Sequence, residues 1–349
     1  MAGAYSPGNI GDGLLAELSV QLSNESIPCT IYLSALDSKG FKRDVSKHPD
    51  KYPGLNPINI FSSLNVFRLV MLFSRKNLVV LAIGGEYLNF TGFKSTCKSL
   101  IANGLAIFLA LATNRPTGFL PQGIILSQKM QKYVFPFLRK ARWILLRDNR
   151  SMEELSKLQN ISKAYDLAII DVKANYTSRT SASVIGSILH EVSGSTKYIS
   201  AVTEIARTKH MKFYVQSSFG RNNFDSMFLE NTLHKRKYES ATNLYTNNLD
   251  VGVLISTRLH GAVGAIRSGI PAIHIAYSRK GKAVFDDLGI SEYCVNFEDL
   301  DPVALLELAH NLNSSNDARK VYWDKIALTS PSRQIQKSHI LGLIQSLTK

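Results

Sequence analysis

One short stretch of this chain sets residue types at a spacing that can do chemistry: Ser256-Thr257-Arg258-Leu259-His260-Gly261. Arginine presents a planar fork of donors that matches a carboxylate or a phosphate. The imidazole two positions later exchanges a proton near neutral pH. Together the pair suits an anionic substrate that has to be protonated. An arginine bound to a surface carboxylate and a histidine capping a turn fit the same residues, and the two side chains alone do not decide.

Residues 251–255 form an apolar run short enough for a buried strand. Residues 262–266 are small and apolar, which predicts a helix packed close to its neighbours. Gly269-Ile270-Pro271 ends that helix, with glycine at its end and proline just past it. Residues 272–276 read as a second buried strand, and Tyr277-Ser278-Arg279-Lys280 as another polar corner. This is a strand–helix–strand unit of a parallel sheet. Its polar residues gather where the strands end, the rim at which open α/β sheets hold ligands. The unpaired N–H groups at a helix start there also favour anions.

A second stretch is Pro7-Gly8-Asn9-Ile10-Gly11-Asp12-Gly13, between a short strand at 2–5 and an amphipathic helix at 14–22. A glycine-rich strand-to-helix turn lets backbone amides approach a phosphate. The spacing is neither G-x-G-x-x-G nor a P-loop, and a plain turn fits it too.

The two stretches together resemble the polysaccharide pyruvyl transferases. In that family a strand ends in an R-x-H-G turn, followed by a small-residue helix, G-x-P, a strand and a Y-x-x-K segment before L-G. Those features stand here at Arg258, His260, Gly261, Gly269, Pro271, Tyr277, Lys280, Leu288 and Gly289. Gly8-Asn9-Ile10-Gly11-Asp12 is similar to the family's N-terminal motif. After a strand at 78–83, Gly84-Gly85-Glu86-Tyr87-Leu88 resembles a G-G-G-x-L turn, with Glu86 in place of the third glycine. Glu86 either orients a sugar hydroxyl or faces solvent. After a strand at 143–146, Arg147-Asp148-Asn149-Arg150-Ser151 resembles another family element. Arg147 is either a second anion fork or part of a surface arrangement with Asp148. At Pro121-Gln122-Gly123-Ile124, after a strand at 117–120, only Gln122 and the adjacent glycine persist of a family turn.

The remaining segments predict a strand at 30–35, a polar loop at 37–57, and helices at 58–73, 94–112 and 128–139. Ser151 or Asn149 would cap a helix at 152–158. A domain boundary falls at 160–165, followed by a linker strand at 166–171. Beyond a Ser/Thr-rich segment at 177–183, residues 184–192 read as helical. A helix at 199–208, a strand at 213–216 and a polar loop at 217–223 follow. Short helices or loops occupy 227–233 and 235–244, with a strand at 293–297 and a helix at 302–313. His190, His210 and His234 lack partners at ligand spacing and read as surface or packing residues.

Hydrophobic residues make up 45% and charged residues 19%, which supports a globular core and argues against disorder. The net charge of +14 fits an acidic partner: nucleic acid, an anionic membrane surface or a phosphorylated small substrate. The charge is spread along the chain, with no basic module interleaved with aromatics, so no nucleic-acid partner is expected. Cys29, Cys97 and Cys294 are too far apart for a metal spacing or a disulfide framework, which points to a reducing compartment. No signal peptide is visible, and the apolar stretch at 100–112 is too short to span a bilayer. The chain reads as cytoplasmic, with a peripheral contact at an anionic membrane face consistent with its charge.

Alternating strands and helices imply an α/β chain of two Rossmann-like, doubly wound domains with an interdomain cleft. These would be residues 1–160 and 161–329, with a terminal helix at 330–349 able to return to the first domain. The resemblance implies the same glycosyltransferase-B-like architecture, with acceptor on the first domain and donor on the second. It also implies ketal pyruvyl transfer. Phosphoenolpyruvate is the donor, two hydroxyls of one sugar in a cell-surface polysaccharide or lipid-linked oligosaccharide are the acceptor, and phosphate leaves. In that chemistry His260 handles a proton and Arg258 holds the donor's carboxylate or phosphate. Arg147 and Lys280 add anion contacts, and Asn9 and Asp12 shape the N-terminal side of the cleft. No metal-ligand set is visible and no cofactor is implied. A sugar-nucleotide-dependent glycosyltransferase is the alternative, since the glycine turns and the Arg–Lys pair can also hold a diphosphate. A glycan- or anion-binding regulator with a degenerate site is the non-enzymatic reading.

Overall fold

A computed structural model describes the chain except for residues 5, 59–70, 76, 100–104, 177–183, 193–194, 218–224 and 248–249. Most of the helix expected at 58–73 falls outside the described residues, as do the segment at 177–183 and nearly all of the loop at 217–223. The chain divides into two compact units. The first comprises Met1–Pro7, Asp12–Ile170 and Gln334–Lys349; the second comprises Gly8–Gly11 and Asp171–Arg333.

The first unit begins with β1 (Ala2–Ala4), α1 (Ile10–Ser26), β2 (Ile31–Ala35), α2 (Ser38–Lys47), β3 (Leu55–Ile58) and β4 (Val80–Ala82). It continues through β5 (Gly85–Phe90), α3 (Phe93–Ser99), α4 (Leu105–Ala112), β6 (Thr117–Leu126) and α5 (Gln128–Leu138). The last elements before the crossover are β7 (Trp143–Leu146), α6 (Asn149–Glu154) and β8 (Ile161–Lys163). Its parallel sheet runs β3-β2-β1-β4-β6-β7-β8, with β5 also paired to β6. Helix α1 buries Leu15, Leu18 and Leu22, a stripe at helical spacing. Its serines are satisfied by bonding back one turn: Ser19 donates to the Leu15 carbonyl and Ser23 to that of Ser19.

Several expectations for this unit are corrected. The segment at 37–57 is not a loop; it holds α2 and β3. Asp37 caps α2 by accepting from the Gly40 N–H. Of the large side chains on α2 only Phe41 is buried, so the sequence shows too little apolar periodicity to announce it. The helix expected at 94–112 is described over Phe93–Ser99 and Leu105–Ala112, and residues 100–104 between them lie outside the described residues. Strand β6 does not end at Leu120. It runs on through Pro121 to Leu126, and its register against β7 shifts between Phe119 and Gln122. That irregularity is where a strand tolerates a proline. Residues 84–88 are not a turn; β5 starts at Gly85, and Gly84 lies so close to the Pro121 carbonyl oxygen that a Cβ there would come within 2.5 Å of it. The cap of α6 is Asp148, which accepts from the Ser151 N–H. Residues 166–171 hold a buried 3-10 turn, Leu167–Ile169, not a strand.

The second unit holds β9 (Val184–Ile188), α7 (Thr196–Ala206), β10 (Met211–Val215), α8 (Asp225–Asn231), β11 (Glu239–Ser240) and α9 (Ala241–Asn247). It continues with β12 (Val251–Ser256), α10 (Leu259–Arg267), β13 (Ala272–Ala276), α11 (Arg279–Asp287), β14 (Cys294–Asn296) and α12 (Pro302–Ser314). Helix α13 (Asn316–Ser346) begins in this unit and carries Pro331 two residues before the assignment changes to the first unit. Residues 184–192 are corrected from helix to strand. Most of β9 is buried, so it lacks the alternation that marks a half-exposed strand. The sheet is parallel with order β11-β10-β9-β12-β13-β14. From β9 the chain winds one way through β10 and β11, and from β12 the other way through β13 and β14. The reversal falls between β9 and β12, and the crevice beyond their carboxyl ends is the expected ligand position.

Strand β13 carries a buried histidine. His274 Nδ1 donates to the Ser256 carbonyl oxygen at 2.8 Å, and its ring stacks on Phe285. Burial holds its pKa down to about 4, against the opposing effect of the Ser256 bond and with help from His260 and Lys280. An unfolded histidine titrates near 6.5. Between pH 6.5 and 4 the unfolded chain therefore binds a proton that the folded chain refuses, and stability falls as pH falls through this window. At about 1.4 kcal/mol per pH unit, His274 costs roughly 3 kcal/mol by the lower end. His274→Asn keeps a donor for Ser256 but does not titrate. Urea unfolding at a series of pH values should show its acid slope flattened by about one proton; an unchanged slope would place the titration elsewhere.

Candidate active site

The crevice at the strand reversal is organised around Asp225, the first residue of α8, which is fully buried. Its Oδ2 accepts from the backbone N–H groups of Gln216 and Ser217 at 2.8 and 3.1 Å. Its Oδ1 accepts from Arg258 Nε at 3.0 Å and Nη2 at 2.7 Å. Asp225 thus joins the end of β10, the start of α8 and the end of β12, and fixes the plane of the Arg258 guanidinium. Arg258 also has its backbone tied: its N–H donates to Ser256 Oγ, and its carbonyl accepts from the same hydroxyl.

His190 follows β9 at the same crevice. Its Nδ1 lies 3.7 Å from Asp225 Oδ1. Its N–H donates to Thr257 Oγ1, and its carbonyl accepts from Tyr198 Oη. Burial first, and Arg258 second, hold its pKa down to about 3. The imidazole is therefore neutral at physiological pH, and its contact with Asp225 is not an ion pair.

The glycine-rich N-terminal stretch reaches this point as part of the second unit. Ile10 N–H donates to the Gln216 carbonyl at 3.3 Å, and Asn9 pairs with Ser217 in an isolated antiparallel bridge. Asn9 Oδ1 accepts from the Gly11 N–H at 3.2 Å and from Gln216 Nε2 at 3.4 Å. The His260 ring lies against Gly11: a Cβ on Gly11 would stand 2.5 Å from His260 Nδ1. Gly261 is closed in the same way, by Gln216 Oε1 at 2.6 Å and Ser256 Oγ at 2.8 Å. Helix α10 is buried along nearly its whole length, with Gly264 against the Tyr245 ring.

The candidate residues therefore fall into two groups. Arg258, His260 and Asn9 come together in the second unit, joined by His190, Asp225 and Gln216. Lys280 lies on α11, close enough to depress the pKa of His274. In the first unit Arg147, Glu86 and Asp166 form a cluster. Arg147 is buried, ion-paired with Asp166, and 3.6 Å from Glu86. Burial works against its charge, but the two carboxylates outweigh that and raise its pKa. Arg147 is thus turned away from solvent, while Glu86 reaches it and remains partly exposed. Asp12 lies buried in the first turn of α1.

Sequence reasoning missed Asp225 and His190. His190 was hidden by reading residues 184–192 as a helix; recognising β9 would have set it at a strand's carboxyl end. Asp225 had no signal beyond an acidic residue opening a helix. Among the described residues no helix is long and apolar enough to cross a membrane.

Two parallel sheets, each reversing direction once, define an α/β fold of two Rossmann-like units, glycosyltransferase-B-like in kind. A family model for polysaccharide pyruvyl transferase matches residues 9–279. The chain belongs to that family and is a transferase. No curated protein matches it in sequence. Among solved structures it is similar to HepE from Anabaena in complex with UDP and glucose, at a TM-score of 0.56 and 12% identity, covering 96% of this chain and 95% of that one. It is also similar to UDP-GlcNAc 2-epimerase from Neisseria meningitidis bound to UDP-GlcNAc, at 0.53 and 12%, covering 98% of each chain. These likenesses concern the fold.

The Gly11 contact yields a clean test. Its backbone is helical, so Ala adds no strain and favours the helix by about 0.5–1 kcal/mol. It would nonetheless displace the His260 ring, and misplacement of about 1 Å costs up to roughly a hundredfold in rate. Gly11→Ala should keep its far-ultraviolet circular dichroism and lose at least about tenfold in transfer rate. Gly13→Ala, whose Cβ position has no heavy atom nearer than 3.6 Å, should stay within about twofold; equal effects at both positions would refute the contact's role.

Proposed function

We propose that this chain transfers the pyruvyl group of phosphoenolpyruvate onto two hydroxyls of one sugar in a polysaccharide or its lipid-linked precursor. The observation that carries this reading is the meeting of the two family motifs: Gly11 of the first lies against His260 of the second, beside an arginine held by a buried carboxylate. The donor is an enol ester with a carboxylate and a phosphate on one carbon. Arg258, already fixed in plane by Asp225, meets one of these anions without reorganising. Lys280 is a further anion contact in the second unit, and Arg147 is the anion fork of the first.

The bond changes follow from the donor. The methylene carbon takes a proton from His260, and the central carbon becomes electrophilic. A sugar hydroxyl attacks it and loses its proton. The C–O bond to phosphate then breaks with its electron pair going to phosphate, the second hydroxyl adds to the same carbon and gives its proton to the departing phosphate, and the ring closes. His260 thus acts as acid to the methylene and, once deprotonated, as base to a hydroxyl. Neutral His190 accepts a hydrogen bond from an acceptor hydroxyl without adding charge beside Arg258. Asn9 contacts the acceptor from the second unit, and Asp12 and Glu86 are the first unit's own candidates for sugar hydroxyls. The surplus positive charge of the chain favours an acceptor carried on an anionic membrane surface.

Ligand-dependent thermal unfolding separates this reading from a sugar-nucleotide glycosyltransferase. Phosphoenolpyruvate should raise the unfolding temperature and UDP-glucose should not. In phosphate-release assays with a lipid-linked oligosaccharide, Arg258→Lys should raise the donor KM at least about tenfold, because one ammonium cannot replace a planar fork. His260→Ala should lower kcat by about 100-fold or more. Stabilisation by UDP-glucose alone, or near wild-type turnover in both variants, would sink the proposal.

A further inference from the structure

A cavity of about 660 Å³ opens at the carboxyl ends of β13 and β14, on the same edge of the sheet as the Arg258 crevice. One wall is the start of α11, with Arg279 and Lys282 one turn apart and both exposed. Neither has an ion-pair partner among the described residues. The lining also includes Asn296, Glu298 and Asp299, from the end of β14 and the turn after it. Asn296 Nδ2 donates to Asp299 Oδ2 at 3.2 Å, which orients that carboxylate. The Glu298 backbone carbonyl accepts from Lys197, and Glu298 is an exposed residue of the lining. Tyr277 completes the lining, 36% exposed, and its ring lies 6.2 Å from that of His190.

The charges decide what such a cavity can hold. Two cations share the lining with two carboxylates, so a phosphate alone meets repulsion from Glu298 and Asp299, and a cation alone meets it from Arg279 and Lys282. A neutral polyhydroxyl ring uses both signs of charge. Its hydroxyls donate to carboxylates and accept from guanidinium, ammonium and amide groups, and its C–H face covers an exposed aromatic ring. We propose that this cavity binds a neutral sugar unit of the acceptor glycan, beside the unit that receives the ketal. This rests on the pyruvyl-transfer reading for the word acceptor, but the sugar site itself is tested independently. The Tyr277–His190 contact sets the cavity beside the reaction crevice inside the second unit, so a glycan recognised at both would span at least two sugars.

The test uses the whole chain on an array of neutral oligosaccharides, followed by saturation-transfer NMR with a bound member. Glu298→Ala and Tyr277→Ala should each weaken that oligosaccharide at least about tenfold. Glu298→Ala should leave the thermal shift with phosphoenolpyruvate unchanged. The competing assignment, an anion site, predicts the opposite sign: Glu298→Ala would tighten inorganic phosphate or UDP. That result, binding of no array member, or oligosaccharide affinity indifferent to both substitutions overturns the proposal. Oligosaccharide binding lost in both variants, in a protein that gives no shift with phosphoenolpyruvate, keeps the sugar site and refutes only the donor.

Discussion

The buried pairing of Asp225 with Arg258 is the constraint on which the second unit's site depends. Taking two charges out of water costs several kcal/mol per ion, and attraction offsets this only when the remaining hydrogen-bond capacity is filled. Here one carboxylate takes four donors: two backbone N–H groups from the end of β10 and two from the guanidinium. Removing either partner would strand the other, at about 3–5 kcal/mol. The strand reversal between β9 and β12 is therefore more than a gap in the topology. A single charged contact, made from three elements, sets where the guanidinium points.

The glycines follow from that contact. With Gln216 held through its backbone to Asp225, its side chain fills the space where Gly261 would otherwise carry a Cβ, and its amide reaches Asn9. With Asn9 docked, Gly11 comes under the His260 ring. The Gly-Asn-Ile-Gly and Arg-Leu-His-Gly stretches, nearly 250 residues apart, are two sides of one packing problem. Any side chain at either glycine would push on a functional group. The site also keeps polar atoms without partners: Gln216 Oε1 and Ser217 Oγ are buried with no hydrogen bond among the described residues. Such defects are tolerated where a site needs polar groups more than it needs stability.

How much of this could be read from the chain differs by element. Strands β7, β12 and β13 and helix α10 were legible because their runs are apolar and bounded by Gly, Pro or charge. The motif residues were legible because two stretches in the right order outweigh either alone. Helix α2 was not, since its side chains are mostly polar and its existence depends on the Asp37 cap. Strand β9 was not, because burial on both faces erases its period. That error carried over to the site: a histidine at the end of a supposed helix looks like packing, and the same histidine after a buried strand stands at the ligand rim. Asp225 could not be found at all. Its importance lies in which distant groups converge on it, and spacing along one chain does not encode that.

The first unit repeats the construction. Arg147, like Arg258, sits at the carboxyl end of a strand, and like Arg258 it is gripped by a buried carboxylate, Asp166, which also caps the 3-10 turn beginning at Leu167. Glu86 adds a second, partly exposed partner, and Arg147 Nε is buried without an acceptor among the described residues. A free arginine on a surface spends about 2 kcal/mol of rotamer entropy when it is ordered by a ligand. One gripped from behind has spent it during folding, so more of the interaction with an anion appears as binding or as stabilisation of developing charge. Both arginines singled out by the sequence are built in this way. Their shared feature is the carboxylate behind each guanidinium, which preorganises each unit's arginine separately.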